Sequence, residues 1–201
     1  MLFTNEQYNK IYDSIYDWLA VYTPGSRCSI SKLKRYQKEI WNPIIETIKR
    51  ITKKEILNAN EQEFLDLVVY NGPIFRIQRY NSRYEGYLYE SNLYQSWSRS
   101  IDGVASVDNL SGDILLIVGE SNNGIDIFGL LEFLLKNEYI SPNPFKNPYE
   151  LCRYEKEEEI LYPIQFKHIN DVVVVNKKNL HDWENNKKNI PRDNWRRNSI
   201  N

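Results

Sequence analysis

The chain predicts an α+β fold, a helical N-terminal third followed by a mainly antiparallel sheet. Three observations predict it. Apolar residues recur at helical spacing as far as about residue 71. Beyond Pro73 the period drops to the two-residue alternation of strands. Short strand-like runs then follow one another with few helices between them, the order expected of an antiparallel sheet. The chain's 201 residues suffice for one domain with a substantial core, or for a helical cap plus one domain. A hydrophobic content of 41% argues for a folded globule. The expected division is a helical region over 1–71, a core over 72–176 and a basic polar tail over 177–201.

Thr4-Asn5-Glu6-Gln7 has the form of a capping box. Tyr8, Ile11, Tyr12, Ile15, Trp18, Leu19 and Tyr22 carry the helix it opens, and Pro24-Gly25 stops the pattern. Leu33, Tyr36, Ile40 and Trp41 mark a second helix. Asn42-Pro43 is expected to end it and start a third, which Ile44, Ile45, Ile48 and Ile51 continue. Asn60-Glu61-Gln62-Glu63 reads as another capped start, and Asn71-Gly72-Pro73 as its stop. Lys32, Lys34, Arg35 and Lys38 fit a solvated helix face.

Ile74 to Tyr80 alternates as a strand, with Ile74, Arg76 and Gln78 on one face. A polar loop follows, with a short strand at Gly86-Tyr87-Leu88. Tyr94 to Ser98 is strand-like, Ile101 to Val107 a short helix, and Gly112 to Gly119 a buried strand. Ile125 to Leu135 predicts an amphipathic helix, and Ser141 to Pro148 a Pro-rich loop. Glu159–Tyr162, Gln165–Ile169 and Val172–Val175 read as three short strands. In the tail, Trp183 and Trp195 interleave with lysines and arginines that include Arg196 and Arg197. The favoured reading is a solubilising tail whose tryptophans dock onto the domain. Contact with nucleic acid or an acidic partner, by backbone neutralisation and ring stacking, is the functional alternative.

Several classes find no support. A formal net charge of -1 gives no global pull toward nucleic acid or anionic membrane. Cys28 and Cys152 fit no metal spacing and make no disulfide framework. His168 and His181 are isolated, and no metal site is expected. The start lacks the basic and apolar regions of a signal peptide, and no apolar run reaches membrane-spanning length, so a soluble cytoplasmic protein is expected. There is no Gly-x-Gly-x-x-Gly after a strand, no phosphate-binding Walker loop and no Gly-x-Ser-x-Gly elbow.

What remains is a set of polar residues set into apolar strands. Arg76 interrupts Ile74-Phe75-Arg76-Ile77, and Ser96-Trp97-Ser98 places paired hydroxyls in a second run. Glu155-Lys156-Glu157-Glu158-Glu159 runs straight into Ile160-Leu161-Tyr162. A carboxylate at the edge of a buried strand is costly to desolvate, and such a group is a candidate functional one.

An Arg, a Ser-x-Ser and a Glu-x-Glu in this order on three strands resemble the R-S-E class of mono-ADP-ribosyltransferases, over about residues 70 to 176. The resemblance implies a split β-sheet of the ADP-ribosyltransferase type and NAD as substrate. It implies that Glu159 is the catalytic carboxylate, stabilising the positive charge that develops on ribose as nicotinamide leaves. Glu157, on the same face of an extended segment, would orient or deprotonate the acceptor, with Glu155 and Glu158 as competing registers. Arg76 would hold the NAD phosphate and ribose through its rigid fork of donors. Arg79 is the alternative, on the opposite strand face. Ser96 would hydrogen-bond the catalytic Glu or the ribose, with Ser98 completing the motif. Trp97 stands where the family often has Thr, and Ser98-Arg99-Ser100 offers a shifted match. An aromatic ring usually stacks on nicotinamide, and Tyr94, Trp97 and Tyr139 are candidates.

The implied activity is transfer of ADP-ribose to a macromolecule, as in small bacterial or phage toxins and effectors, and an antitoxin or inhibitor is an implied partner. Glu-x-Glu accompanies modification of arginine side chains, so a protein acceptor is expected. RNA or DNA as acceptor, NAD hydrolysis by water, and an inactive binding module of the same fold are the alternatives. No membrane partner is expected.

Overall fold

The computed structural model describes residues 2–21, 30–80, 88–107, 110–140 and 146–195. Helices and an antiparallel sheet make up the fold, which is α+β. The chain divides into two compact units. One comprises Met1–Tyr70 with Ile125–Glu155, the other Asn71–Gly124 with Lys156–Asn201.

In the first unit α1 (Asn5–Tyr16) starts at the expected capping box. The Gln7 amide donates to Thr4 Oγ1 at 3.2 Å, and the Thr4 amide donates to Gln7 Oε1 at 2.8 Å. A wide π turn, Asp17–Val21, extends it. The expected break at Asn42-Pro43 does not occur. Instead α2 (Ile30–Tyr36), a π turn (Gln37–Trp41) and α3 (Asn42–Ile51) follow without interruption. Asn42 is helical, and its amide donates five residues back to the Gln37 carbonyl. Proline has no amide to give and its ring crowds the preceding turn; a widened turn ahead of Pro43 relieves both.

The next helix, α4 (Ala59–Val68), is capped by Asn58, two residues before the expected Asn60. Asn58 has the extended backbone that a cap needs, and Glu61, three residues on, reaches back to its amide. Strand β1 (Val69–Arg79) follows at once, so Asn71-Gly72-Pro73 lies inside a strand and does not act as the stop.

A later helix (Ile127–Lys136) lies against α4, and Gly129 is what allows it. A Cβ there would stand 1.8 Å from the Leu67 carbonyl oxygen. Phe64 and Phe133 meet edge to face at 5.1 Å in the buried centre.

In the second unit the sheet is built from β1, β2 (Ser91–Ser98), β3 (Asp113–Asp126), β4 (Glu159–Ile164), β5 (Ile169–Asn176) and β6 (Lys188–Asn189). Their order is β1-β2-β4-β3-β5-β6, and β1 also pairs with β3. The β1–β2, β2–β4, β3–β5 and β5–β6 pairs are all antiparallel. Short helix α5 (Ile101–Ser106), capped by Ser100, covers one face. Its Val104 joins Ile114 and Leu116 of β3, Val173 and Val175 of β5, and Leu180 in a continuous buried cluster. The Ile127–Lys136 helix is α6, and Trp183–Asn186 forms α7.

Only two of the three strands expected between 159 and 175 form, because Phe166–His168 is a 3-10 turn closed by the His168 amide on the Gln165 carbonyl. The segment after Asn176 is folded as far as Trp195. It supplies β6, opposite Val173 and Val174, and it buries Leu180 and Trp195. Among the described residues no helix is long and apolar enough to cross a membrane. The expected stop at Pro24-Gly25, Cys28, the short strand at Gly86-Tyr87, the loop residues 141–145, and Arg196 and Arg197 lie outside the described residues.

Candidate active site

The three strands that carry the polar residues are consecutive neighbours: β1 bears Arg76, β2 the serines, and β4 opens with Glu159. The β2–β4 register sets Ser98 directly across from Glu159, Trp97 across from Ile160 and Ser96 across from Leu161. Directly opposed residues of an antiparallel pair share a face and lie within side-chain reach. Ser98 is therefore the serine beside Glu159, and Ser96 stands two pairs further along. Both Ser98 and Glu159 are buried, at 6% exposure each. Across the β1–β2 pair the residue opposite Ser98 is Phe75, which packs toward the Val104 cluster.

Arg76, the next residue, has the opposite strand parity from Phe75 and so lies on the other face of the sheet from Ser98 and Glu159, and its side chain ties β1 to β2. Its Nη1 donates to the Ser96 carbonyl oxygen. Its Nε is shut off from solvent and has no hydrogen-bond partner among the described residues. Burial pulls the guanidinium down to about 10, and the nearby charge of Glu159 works against that pull, leaving the group cationic at neutral pH. A buried donor with nothing to bond costs about 1–3 kcal/mol. A ligand phosphate would be drawn to the positive charge of the guanidinium and not to Nε, which solvent does not reach. Arg79, at the end of β1, is exposed.

The acidic block is not an extended segment. Glu157 ends a 3-10 helix (Pro148–Glu157), Glu158 is left-handed with φ 49°, and Glu159 begins β4. The expectation that Glu157 and Glu159 share a face through simple strand alternation therefore fails, since alternation requires extended backbone on both sides. A left-handed glutamate costs roughly 1–2 kcal/mol, so the corner at Glu158 is held by its surroundings. The Arg99 amide donates to the Glu158 carbonyl at 3.1 Å, adding one rung beyond Ser98 and Glu159. Ser100 Oγ donates to Glu158 Oε2, and Arg99 Nε stands 3.4 Å from Oε1. Neither contact was foreseen from the sequence; the one available signal was the shifted motif Ser98-Arg99-Ser100.

The three candidate stacking rings separate. Trp97 is buried, and its Nε1 donates to the Tyr162 carbonyl at 2.9 Å, so the ring is part of the core. Tyr139 belongs to the first unit, where it stacks on Tyr8 at 4.1 Å. Tyr94, half-buried on β2, is the candidate on the strand that carries the serines. Burial and the neighbouring Tyr162 push its hydroxyl up to about 12, so it stays neutral at physiological pH. Tyr162 meets the His168 ring edge-on at 5.5 Å, and burial lowers the imidazole's affinity for a proton.

The chain matches no protein-family model, no curated protein and no solved structure.

Proposed function

We propose that the protein is an NAD-dependent mono-ADP-ribosyltransferase with an ADP-ribosyltransferase-type sheet. The observation that carries this reading is the adjacency of β1, β2 and β4, with Ser98 across from Glu159 and the Arg76 guanidinium, which ties β1 to β2, within the field of that carboxylate. Arg76 offers its positive charge to the NAD pyrophosphate. Glu159 faces the ribose of the nicotinamide nucleoside, and Ser98 takes the role that the motif's order first suggested for Ser96. Nicotinamide leaves with the electron pair of the carbon–nitrogen bond. The ribose carbon then carries positive charge, which Glu159 stabilises until the acceptor attacks and gives up its proton. A carboxylate already desolvated at 6% exposure acts more strongly on that charge than one in water.

The acceptor is a macromolecule, with protein favoured. The burial of Trp195 takes from the tail one of the two rings that a nucleic-acid contact would use. The biological setting proposed is that of a toxin or effector, restrained in its producing cell by an inhibitor.

The test is incubation of purified protein with labelled NAD and whole bacterial lysate, beside Glu159→Gln. The variant should fold normally and lose NAD cleavage by roughly 10²-fold or more, the scale of removing one group aimed at a developing charge. Protease-sensitive label absent in the variant would support the reading. Nuclease-sensitive label would move the acceptor to RNA or DNA, and nicotinamide release without label would indicate hydrolysis. Absence of NAD consumption by the wild-type protein would overturn the enzyme reading.

A further inference from the structure

One short segment addresses the three consecutive glutamates in turn. Ser98 lies across from Glu159. Ser100 and Arg99 hold the carboxylate of Glu158, and the Arg99 amide holds its carbonyl. Gly103 presses on Glu157: a Cβ there would come 2.7 Å from the Glu157 carbonyl oxygen and 3.2 Å from Ser98 Cβ. The same Ser100 hydroxyl that donates to Glu158 accepts from the Gly103 amide at 3.0 Å, capping α5. End of strand, helix cap and acidic corner are thereby joined through a single side chain. The residue at the centre of the corner, Glu158, has a positive φ that a glutamate rarely adopts.

We propose that Glu158, gripped by Ser100 and Arg99, is a positioning residue that fixes the directions in which Glu157 and Glu159 present their carboxylates. Without the grip, a left-handed corner between a 3-10 turn and a strand has nothing in its own backbone preference to hold it. With the grip, the two flanking carboxylates are set by a rigid frame and not by loop motion. The activity arm of the test rests on the transferase reading; a second arm does not.

The decisive variant is Glu158→Gly in the full chain, since glycine accepts φ 49° without strain and removes only the gripped side chain. Its partner is Glu158→Gln, whose amide oxygen can still accept from Ser100. In the first arm, Glu158→Gly is expected to lower kcat for NAD cleavage roughly 10-fold or more, as misplacement of a reacting group does. KM for NAD and the melting temperature should change little, and Glu158→Gln should recover most of the rate. In the second arm, the ¹³C carboxyl signals of Glu157 and Glu159 are compared by NMR without NAD. They should move in Glu158→Gly and return toward wild-type positions in Glu158→Gln. Unchanged kcat together with unchanged signals in Glu158→Gly would overturn the proposal. Should wild-type protein cleave no NAD, the transferase reading fails, and the carboxyl signals alone decide whether Glu158 positions its neighbours.

Discussion

Arg76 shows how much the choice of a single side chain can cost and why it is kept. An apolar residue of similar length would fill the same space without desolvating a cation, and such exchanges of buried charge are often neutral or stabilising. Arg76→Met is therefore expected to melt at the wild-type temperature or above it while losing NAD binding, measured by calorimetry and by titration with NAD. A large drop in melting temperature would instead assign Arg76 to stability. The residue types were legible in the sequence, because an arginine inside Ile-Phe-Arg-Ile and a carboxylate opening Ile-Leu-Tyr stand out against their surroundings. Which serine faces Glu159 was not. Ser96 and Ser98 have the same parity on one strand, and only the pairing of β2 with β4 separates them. The part played by Glu158 is hidden for a related reason: its left-handed backbone is held by contacts from Arg99 and Ser100, which lie nearly sixty residues earlier in the chain.

At the scale of the element, helix starts are legible in the sequence where the cap is local. Thr4 and Gln7 sit where expected, since a capping box needs only four residues. The start of α4 lies at Asn58 and not at the expected Asn60 because either residue type can cap, and the choice falls to Glu61, whose side chain returns to the Asn58 amide and also meets Lys54 at 2.5 Å. Asn58→Ala should cost about 1 kcal/mol in urea unfolding. Glu61 adds a pH dependence. The Lys54 ammonium, hydrogen-bonded to it, holds its carboxyl below the usual glutamate range. The folded value lies below the unfolded one, so the stabilisation is whole above the ordinary glutamate value and is lost as pH falls through the folded value. Glu61→Gln is expected to flatten the acid limb of the stability curve, followed by melting temperature against pH. The α4–α6 contact predicts the sharpest local failure. Gly129→Ala drives a methyl group into the Leu67 carbonyl and should destabilise by roughly 3 kcal/mol or more, since backbone on both sides must give way.

At the scale of the whole molecule, the segment after Asn176 belongs to the fold. It pairs β6 with β5 and buries Leu180 at 1% and Trp195 at 4% exposure. A chain ending at Asn176 should lose cooperative unfolding or aggregate, because Val173 and Val174 would become an open strand edge. Trp195→Ala in the full chain should cost about 3 kcal/mol or more by denaturant titration. If the truncated chain melted as the intact one does, the tail would be dispensable.

The sequence by itself determined the α+β class, the helical N-terminal third, the first capping box and the residue types of the candidate site. These follow from periodicity, local capping and the cost of placing charge beside apolar residues, all of which act over a few neighbouring positions. The tertiary structure alone decided that residues 125–155 join the N-terminal helices in one compact unit, that the helix runs on through Pro43, and that Ser98 meets Glu159. It also decided that the acidic block turns at Glu158. Strand register and backbone corners are fixed by contacts between segments far apart in the chain, so no local pattern encodes them.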